Sequence, residues 1–466
     1  MLTRLRIQNF KAWKDTGEIR LAPITVFFGS NSSGKTSIHQ LLLMLKQTAQ
    51  SPDRQRVLHP GDDKSMVDLG TIRDLMFGHD EKAGIAFEFA WRLPKPLTVT
   101  DPRVEPGKHK REHSGETIAF AAEVAQGNGK DAIPLVKYMS YTLGDPLSGG
   151  LAVRMIASDS EAGRYDLKSE GYDFVRNRGK PWPLPAPIRF YGFPDEVKVY
   201  YQNADFVADL ALALERMLDQ LYHVGPLRES PRRVYVWSGE KMDHVGVRGD
   251  RAVPALLAAR GRKLSPAHKK QKQSFEPMIA RWLKDMGLIE SFTAKPLAEH
   301  RKEYEVLVST AGSKHAVNLT DVGFGVSQVL PVVVECFYVP AASTIIFEQP
   351  EIHLHPSVQA ALADLFIEAI HACEEGRPRG IQLIIESHSE HFLRRLQRRI
   401  AENGLKPEEA ALYFCEPGPT GSRLHALEVD LFGNISNWPD NFFGDEVGDL
   451  AAMTDAAMQR QSGGEG

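Results

Sequence analysis

The 466-residue chain has few cysteines, no surplus of positive charge and no long apolar run, and each shortage removes a class of function. Cys336, Cys373 and Cys415 lie far apart, are odd in number and lack metal-ligand spacing, so reduced thiols in a cytosolic setting are expected. Lys and Arg total 56 against 60 Asp and Glu, a net charge of -4, which excludes the global basic signature of a dedicated nucleic-acid binder. Any such surface must be local. No window approaches the roughly 20 apolar residues that span a bilayer, and the N-terminal MLTRLRIQNFKAWKD lacks the apolar core of a signal peptide. A soluble, unprocessed protein is therefore expected. Heptads do not persist between the motifs described below, which argues against a long coiled-coil arm, and no internal repeat occurs.

What is present starts near the N-terminus. Leu5 to Phe10 alternates apolar and polar residues like a half-buried strand, whereas Pro23 to Phe28 is a nearly continuous apolar run that predicts a buried central strand. It ends at Gly29, and Ile38, Leu41, Leu42 and Leu45 then recur at helical spacing, placing a helix start near Lys35. The connection, Gly29-Ser30-Asn31-Ser32-Ser33-Gly34-Lys35-Thr36, followed by Ser37, is a phosphate-binding P-loop with the strand before it and helix after it that this motif requires. Backbone N–H groups and the helix N-terminus would cradle a triphosphate, Lys35 reach the β- and γ-phosphates, and Thr36 offer its hydroxyl to Mg²⁺. ATP and Mg²⁺ are the cofactors so implied.

Three more motifs lie far downstream. Thr344 to Phe347 and Gln382 to Ile385 are β-branched runs that predict two more parallel strands of the same sheet. The first delivers Glu348-Gln349-Pro350-Glu351 and His353-Leu354-His355-Pro356 at its C-terminal edge, a Walker B element with Glu348 as the carboxylate on the Mg²⁺ side. The second ends in Glu386-Ser387-His388-Ser389, which makes His388 a candidate γ-phosphate contact. Between P-loop and Walker B, Asp321 to Pro331 (DVGFGVSQVLP) sets glycines and a Ser-Gln pair just before an apolar helix, a second helix N-terminus suited to anions.

In this order the motifs resemble the ABC-type ATPase heads of the SMC, RecF and OLD group, over the first fifty residues and about Leu319 to Leu396. The stretch from His223 to Arg228, with Arg232, Arg233 and the tail Asn434 to Phe443, looks like a bacterial subgroup of OLD-like AAA family ATPases with an uncharacterised C-terminal segment. The resemblance implies that two heads sandwich two ATPs. Gly325, Ser327 and Gln328 would then meet the nucleotide of the opposite subunit, and His388 would be the switch histidine. Members of the wider group work beside nucleases in phage defence. The Toprim nuclease domain of the OLD family needs a glutamate and an Asp-x-Asp pair, whereas only Glu428-Val429-Asp430 occurs after His391, so a nuclease or other effector would be a separate protein.

One position departs from the pattern. Where these ATPases place a general-base glutamate, this chain has Gln349, whose amide cannot take a proton from water. Either Glu351 or another carboxylate is the base, or hydrolysis is slow and the ATP-bound dimer long-lived. Two basic clusters, Arg260 to Lys272 and Arg394, Arg395, Arg398 and Arg399, could hold phosphate backbones or be solvated faces.

The expected architecture is an α/β P-loop NTPase head with a strand-rich lobe and a helical insertion: 1–66 with the P-loop, 67–203 strand-rich, 204–315 helical, 316–400 with the remaining motifs, and 401–466 as a C-terminal segment. The polar run from Pro106 to Gly115 reads as a loop within the second of these. The functional expectation is an ATP-bridged homodimer that drives or regulates an effector. A nucleotide-gated scaffold with negligible turnover and a RecF-like DNA-repair ATPase are the alternatives.

Overall fold

In the computed structural model, all residues are described except 102–111, 128–132, 146–147, 159–162, 180–181, 268–269, 311, 314, 440–441, 443–445 and 464–466. Strands β1 (Leu2–Phe10), β2 (Trp13–Asp15) and β3 (Ile19–Arg20) precede β4 (Ile24–Gly29), the P-loop and helix α1 (Lys35–Gln50). After α2 (Ile72–Leu75) comes a meander of β5 (Ile85–Thr100), β6 (Glu112–Ala125), β7 (Leu135–Leu143), β8 (Leu151–Ala157) and β9 (Tyr165–Glu170). The middle of the chain holds α3 (Asp195–Tyr200), α4 (Val207–Asp219), β10 (Leu221–Val224), β11 (Tyr235–Val236), α5 (Ala252–Ala258), β12 (Lys263–Ser265), β13 (Gln273–Ser274), α6 (Phe275–Asp285), β14 (Ser291–Pro296), β15 (Glu303–Ser309) and β16 (Val317–Asn318). It is followed by α7 (Phe324–Tyr338), β17 (Thr344–Glu348), α8 (Pro356–His371), β18 (Cys373–Glu374), β19 (Arg377–Pro378), β20 (Gln382–Glu386), α9 (Glu390–Ala401), β21 (Ala410–Glu416), β22 (Arg423–Ala426) and α10 (Glu446–Gly463).

Two large sheets organise these elements. The first is six-stranded, ordered β10-β17-β20-β4-β21-β22, and its first five strands run parallel. Parallel sheets are covered on both faces, which explains why β4, β17 and β20 are buried at every position. Side chains alternate between the faces. Phe27, Ile346, Ile384 and Tyr413 enter a core with α1, while Val26, Phe28, Ile345, Phe347, Leu383 and Ile385 enter a second core with α5 to α9. The other large sheet is eight-stranded and antiparallel, combines β1 to β3 with β5 to β9, and shows the in-out burial of a sheet with one covered face. It packs over α1, whose Leu41, Leu42, Leu43, Met44 and Leu45 are fully buried. The expected strands and the P-loop helix thus form an α/β P-loop NTPase fold.

The expected boundaries need three corrections. The 204–315 stretch is not a helical insertion alone: β10 forms the edge of the central sheet through Leu221↔Thr344 to Val224↔Phe347, and β14 with β15 makes a hairpin. The 401–466 stretch contributes β21, which flanks β4 directly and so belongs to the head. The strand-rich lobe is not confined to 67–203, because β1 pairs with β5. Of the polar run at 106–115, residues 106–111 lie outside the described residues and 112–115 belong to β6. Among the described residues, no helix is long and apolar enough to cross a membrane. Cys336, Cys373 and Cys415 are free and buried.

Candidate functional site: a P-loop cavity at the end of the central sheet

The cavity begins where β4 ends. Gly29 has φ 142°, and a Cβ there would lie 2.1 Å from the Cys415 carbonyl oxygen of β21, so only glycine lets the two strands run together into the loop. Gly34 has φ 90°, and its carbonyl accepts a 3.0 Å hydrogen bond from Trp13 Nε1, which fixes the turn into α1. Ser37 Oγ donates to the same carbonyl at 2.6 Å. The loop is thereby shaped by its glycines and by a tryptophan from β2.

Lys35 is 3% exposed, and its Nζ donates to the carbonyls of Gly29 at 3.0 Å and Ser30 at 2.7 Å, and to Ser33 Oγ at 3.4 Å. Burial lowers its pKa, opposed by the nearby Glu386 carboxylate. Thr36 Oγ1 donates to Glu386 Oε2 at 2.8 Å. Residues Asn31 to Ser37 join Lys11, Ala12, Gln349, Glu386 and His388 in lining a cavity of about 310 Å³. The carboxylate that meets the P-loop hydroxyl is thus Glu386, at the end of β20.

Glu348 occupies the matching register position on β17, opposite Glu386. Its Oε1 lies 2.9 Å from His223 Nε2, it is 9% exposed, and it does not line the cavity. Burial, the largest single effect, works to raise its pKa, but the His223 hydrogen bond and the charges of His223 and His39 together leave it lowered. Glu386 has the opposite balance: burial raises its pKa against the Thr36 hydrogen bond and the Lys35 charge. His39 of α1 is fully buried beside this pair, with Nδ1 3.9 Å from Glu386 Oε2, and burial lowers its pKa to about 4.

Gln349 does line the cavity, and its left-handed φ of 43° lets its N–H donate to the Glu386 carbonyl at 2.9 Å. Glu351 does not line it. Its Oε1 accepts from the His388 N–H at 2.6 Å, and burial raises its pKa. His388 itself is half-buried, and burial with the Lys35 charge lowers its pKa to about 4, so the ring is neutral near neutral pH.

The signature residues are elsewhere. Gly325, Ser327 and Gln328 form the first turn of α7 and none of them lines the P-loop cavity of this chain. Ser327 Oγ donates to the Phe324 carbonyl at 2.7 Å, and the Gln328 side chain is 1% exposed. What this turn shows to solvent is Gly323 and Phe324, the latter 52% exposed and in edge contact with His353. The inward turn of Gln328 does not match its expected reach toward a second subunit.

The arginines of both basic clusters are ion-paired, whereas Lys263, Lys270 and Lys272 of the first cluster are exposed. Arg260 pairs with Glu276 and Arg262 with Glu374, while Arg395 and Arg399 share Asp364, Arg394 pairs with Glu390 and Arg398 with Glu402. Lys269 lies outside the described residues.

Sequence reasoning quoted Glu386 without giving it a role and missed Lys11, Ala12 and His39. The signal for Glu386 was available, since it closes the apolar run QLIIE as Glu348 closes TIIFE.

Comparison with known proteins bears on the family of the chain. Residues 1–114 match the family model "AAA ATPase domain", and residues 405–453 match "Protein of unknown function (DUF3696)". No curated protein matches the chain. Among solved structures, the SMC head bound to the C-winged helix domain of ScpA is 10% identical, with 92% of this chain and 98% of that chain covered and a TM-score of 0.44. The SMC head domain from Thermotoga maritima is 11% identical, with 92% and 99% covered and a TM-score of 0.40. Residues 162–394, half of the chain, match the model "AAA domain, putative AbiEii toxin, Type IV TA system", and the chain, an ABC-type ATPase head, belongs to that family.

Proposed function

We propose that the chain binds ATP with Mg²⁺ in the P-loop cavity, hydrolyses it slowly, and closes with a second copy around the nucleotide to control an effector. The observation that carries this reading is the meeting of Lys35, Thr36, Gln349, Glu386 and His388 around one cavity. The loop N–H groups and the N-terminus of α1 receive the phosphates, and Lys35 exchanges the Gly29 and Ser30 carbonyls for phosphate oxygens.

The donor set suits Mg²⁺. Among the described residues, no group of three or more His, Cys, Asp or Glu side chains forms a metal cage. Mg²⁺ needs none, since it binds through one or two protein oxygens plus water and phosphate, which the Thr36 hydroxyl and Glu386 carboxylate match. When bound, the ion neutralises charge on the phosphates. The neutral His388 ring contacts the γ-phosphate. Gln349 orients the attacking water but takes no proton from it, which keeps turnover low.

The exposed Gly323 and Phe324 at the start of α7 support a closing surface for the second copy. The family description as a toxin of a type IV toxin–antitoxin system supports a place in defence beside a separate effector or nuclease. A second reading, a nucleotide-gated scaffold with negligible turnover, is favoured by Gln349 in the cavity and by Glu351 being engaged with the His388 N–H. The DNA-repair reading finds the arginines of both clusters engaged in ion pairs and keeps the exposed Lys263, Lys270 and Lys272 as its cations. ATP turnover and sedimentation of wild type beside Lys35→Ala and Glu386→Gln test these readings. If wild type neither hydrolyses ATP nor changes its sedimentation with it, both the ATPase and the scaffold readings fail.

A further inference from the structure

Arg228 lies in the loop after β10 and is 6% exposed. Its Nη1 donates to the carbonyl of Gln328 at 3.2 Å and to that of Pro350 at 3.4 Å. One guanidinium therefore joins the first turn of α7 to the loop after β17. Its Nε and Nη2 are buried without a hydrogen-bond partner, and so are Gln328 Nε2 and Glu351 Oε2. Glu351 follows Pro350 directly, and its other oxygen holds the His388 N–H at 2.6 Å.

Buried polar atoms without partners are costly in proteins and do not persist by accident at several neighbouring residues. Here they are complementary. Arg228 and Gln328 present spare donors, Glu351 presents a spare acceptor, and the Glu351 charge acts on Arg228 although no ion pair within 4 Å joins them among the described residues. Such a set has a second arrangement within reach, in which the guanidinium leaves the two carbonyls and takes the free carboxylate oxygen.

We infer that Arg228 is a positioning residue that couples the signature helix α7 to His388 by way of Glu351. A shift of the first turn of α7 moves the Gln328 carbonyl from Arg228, the guanidinium swings to Glu351, and the grip of Glu351 on the His388 backbone changes. The coupling gives the switch histidine a report of where α7 lies. Its role in turnover rests on the ATPase reading above, whereas the coupling itself is a property of the fold.

Hydrogen exchange on the full chain without nucleotide, for wild type, Arg228→Gln and Arg228→Lys, reads the coupling whether or not ATP is hydrolysed. Arg228→Gln is expected to speed exchange in both 324–330 and 386–389 about tenfold, the scale on which mutations alter coupling between sites, with 29–37 unchanged. Arg228→Lys, which keeps the charge but not the fork, gives a smaller change in the same two segments. Faster exchange confined to 224–232 overturns the inference, since it marks a local anchor. If the Gln variant does not fold, the Lys variant decides by the same criterion. For a wild type that turns over ATP, Arg228→Lys should lower kcat about tenfold with KM changed less than about twofold. Lost turnover with unchanged exchange at 386–389 also overturns the route through Glu351, while an inert wild type rejects only the ATPase reading.

Discussion

Thr36 and Glu386 are joined by a 2.8 Å hydrogen bond that ties the start of the P-loop helix to the end of β20, 350 positions later in the chain. Glu348, the acid of the Walker B run, instead pairs with His223. Two carboxylates thus stand at matched positions on adjacent parallel strands with different partners and opposite shifts in pKa. The division suggests that Glu386 meets the metal and Glu348 is held in place behind it.

Glu386→Gln should accordingly raise the Mg²⁺ concentration needed for half-maximal turnover by roughly 10–100-fold, the effect of disturbing groups at a metal site. Mg²⁺ titration at fixed ATP measures this. An unchanged midpoint in Glu386→Gln, with loss in Glu348→Gln, would return the metal to Glu348.

Gln349→Glu places a carboxylate in the cavity where a proton acceptor is missing. Single-turnover hydrolysis should rise, up to about 100-fold, the lower end of what a positioned base contributes. No increase would mean that the step is not limited by water activation at this position.

His388 should remain neutral through the physiological range, because burial and Lys35 hold its pKa at about 4. Its folded pKa is below the ordinary 6.5, so its contribution to stability is present above pH 6.5 and is lost as pH falls toward 4. Imidazole NMR in wild type and His388→Gln identifies the resonance. A titration midpoint above about 6, close to the unperturbed value, would contradict the assignment.

Glu335, inside α7, is fully buried with Oε2 accepting from the Val245 N–H at 3.0 Å, and burial pushes its pKa up to about 8. Its folded pKa exceeds the ordinary 4.5, so the associated stability is complete below pH 4.5 and is lost as pH rises through 8. Wild type should lose a few kcal/mol relative to Glu335→Gln between these limits, an order-of-magnitude figure from linkage. Parallel denaturation curves at pH 5 and 9, subtracted between the two proteins, provide the check.

The parts of the fold legible in sequence were those with a continuous apolar run and a motif at its end: β4 with the P-loop, β17 with Glu348, and β20 with His388. The flanking strands were not. Leu221–Val224 follows α4 with only Gln220 between them, so its four residues read as the end of a helix. Ala410–Glu416 opens with two alanines and follows a helical turn at Pro407–Glu409, a local pattern that does not distinguish strand from helix. The ion pairing of the clustered arginines was also hidden, since Arg262 finds Glu374 112 positions away and Arg399 finds Asp364 35 positions away. Pairings of that kind come from tertiary packing alone.

The place of β4 between β20 and β21 bears on how the protein is made. The ribosome delivers this six-residue strand, apolar apart from Thr25, among the first thirty residues, yet its neighbours emerge only after residues 386 and 416. Throughout most of translation the nascent chain therefore carries an apolar strand with two bare edges, the kind of segment that chaperones shield and that aggregates when left alone. Truncation before residue 410 leaves one of those edges permanently open, and such fragments should be recovered as insoluble material even though every P-loop residue is intact.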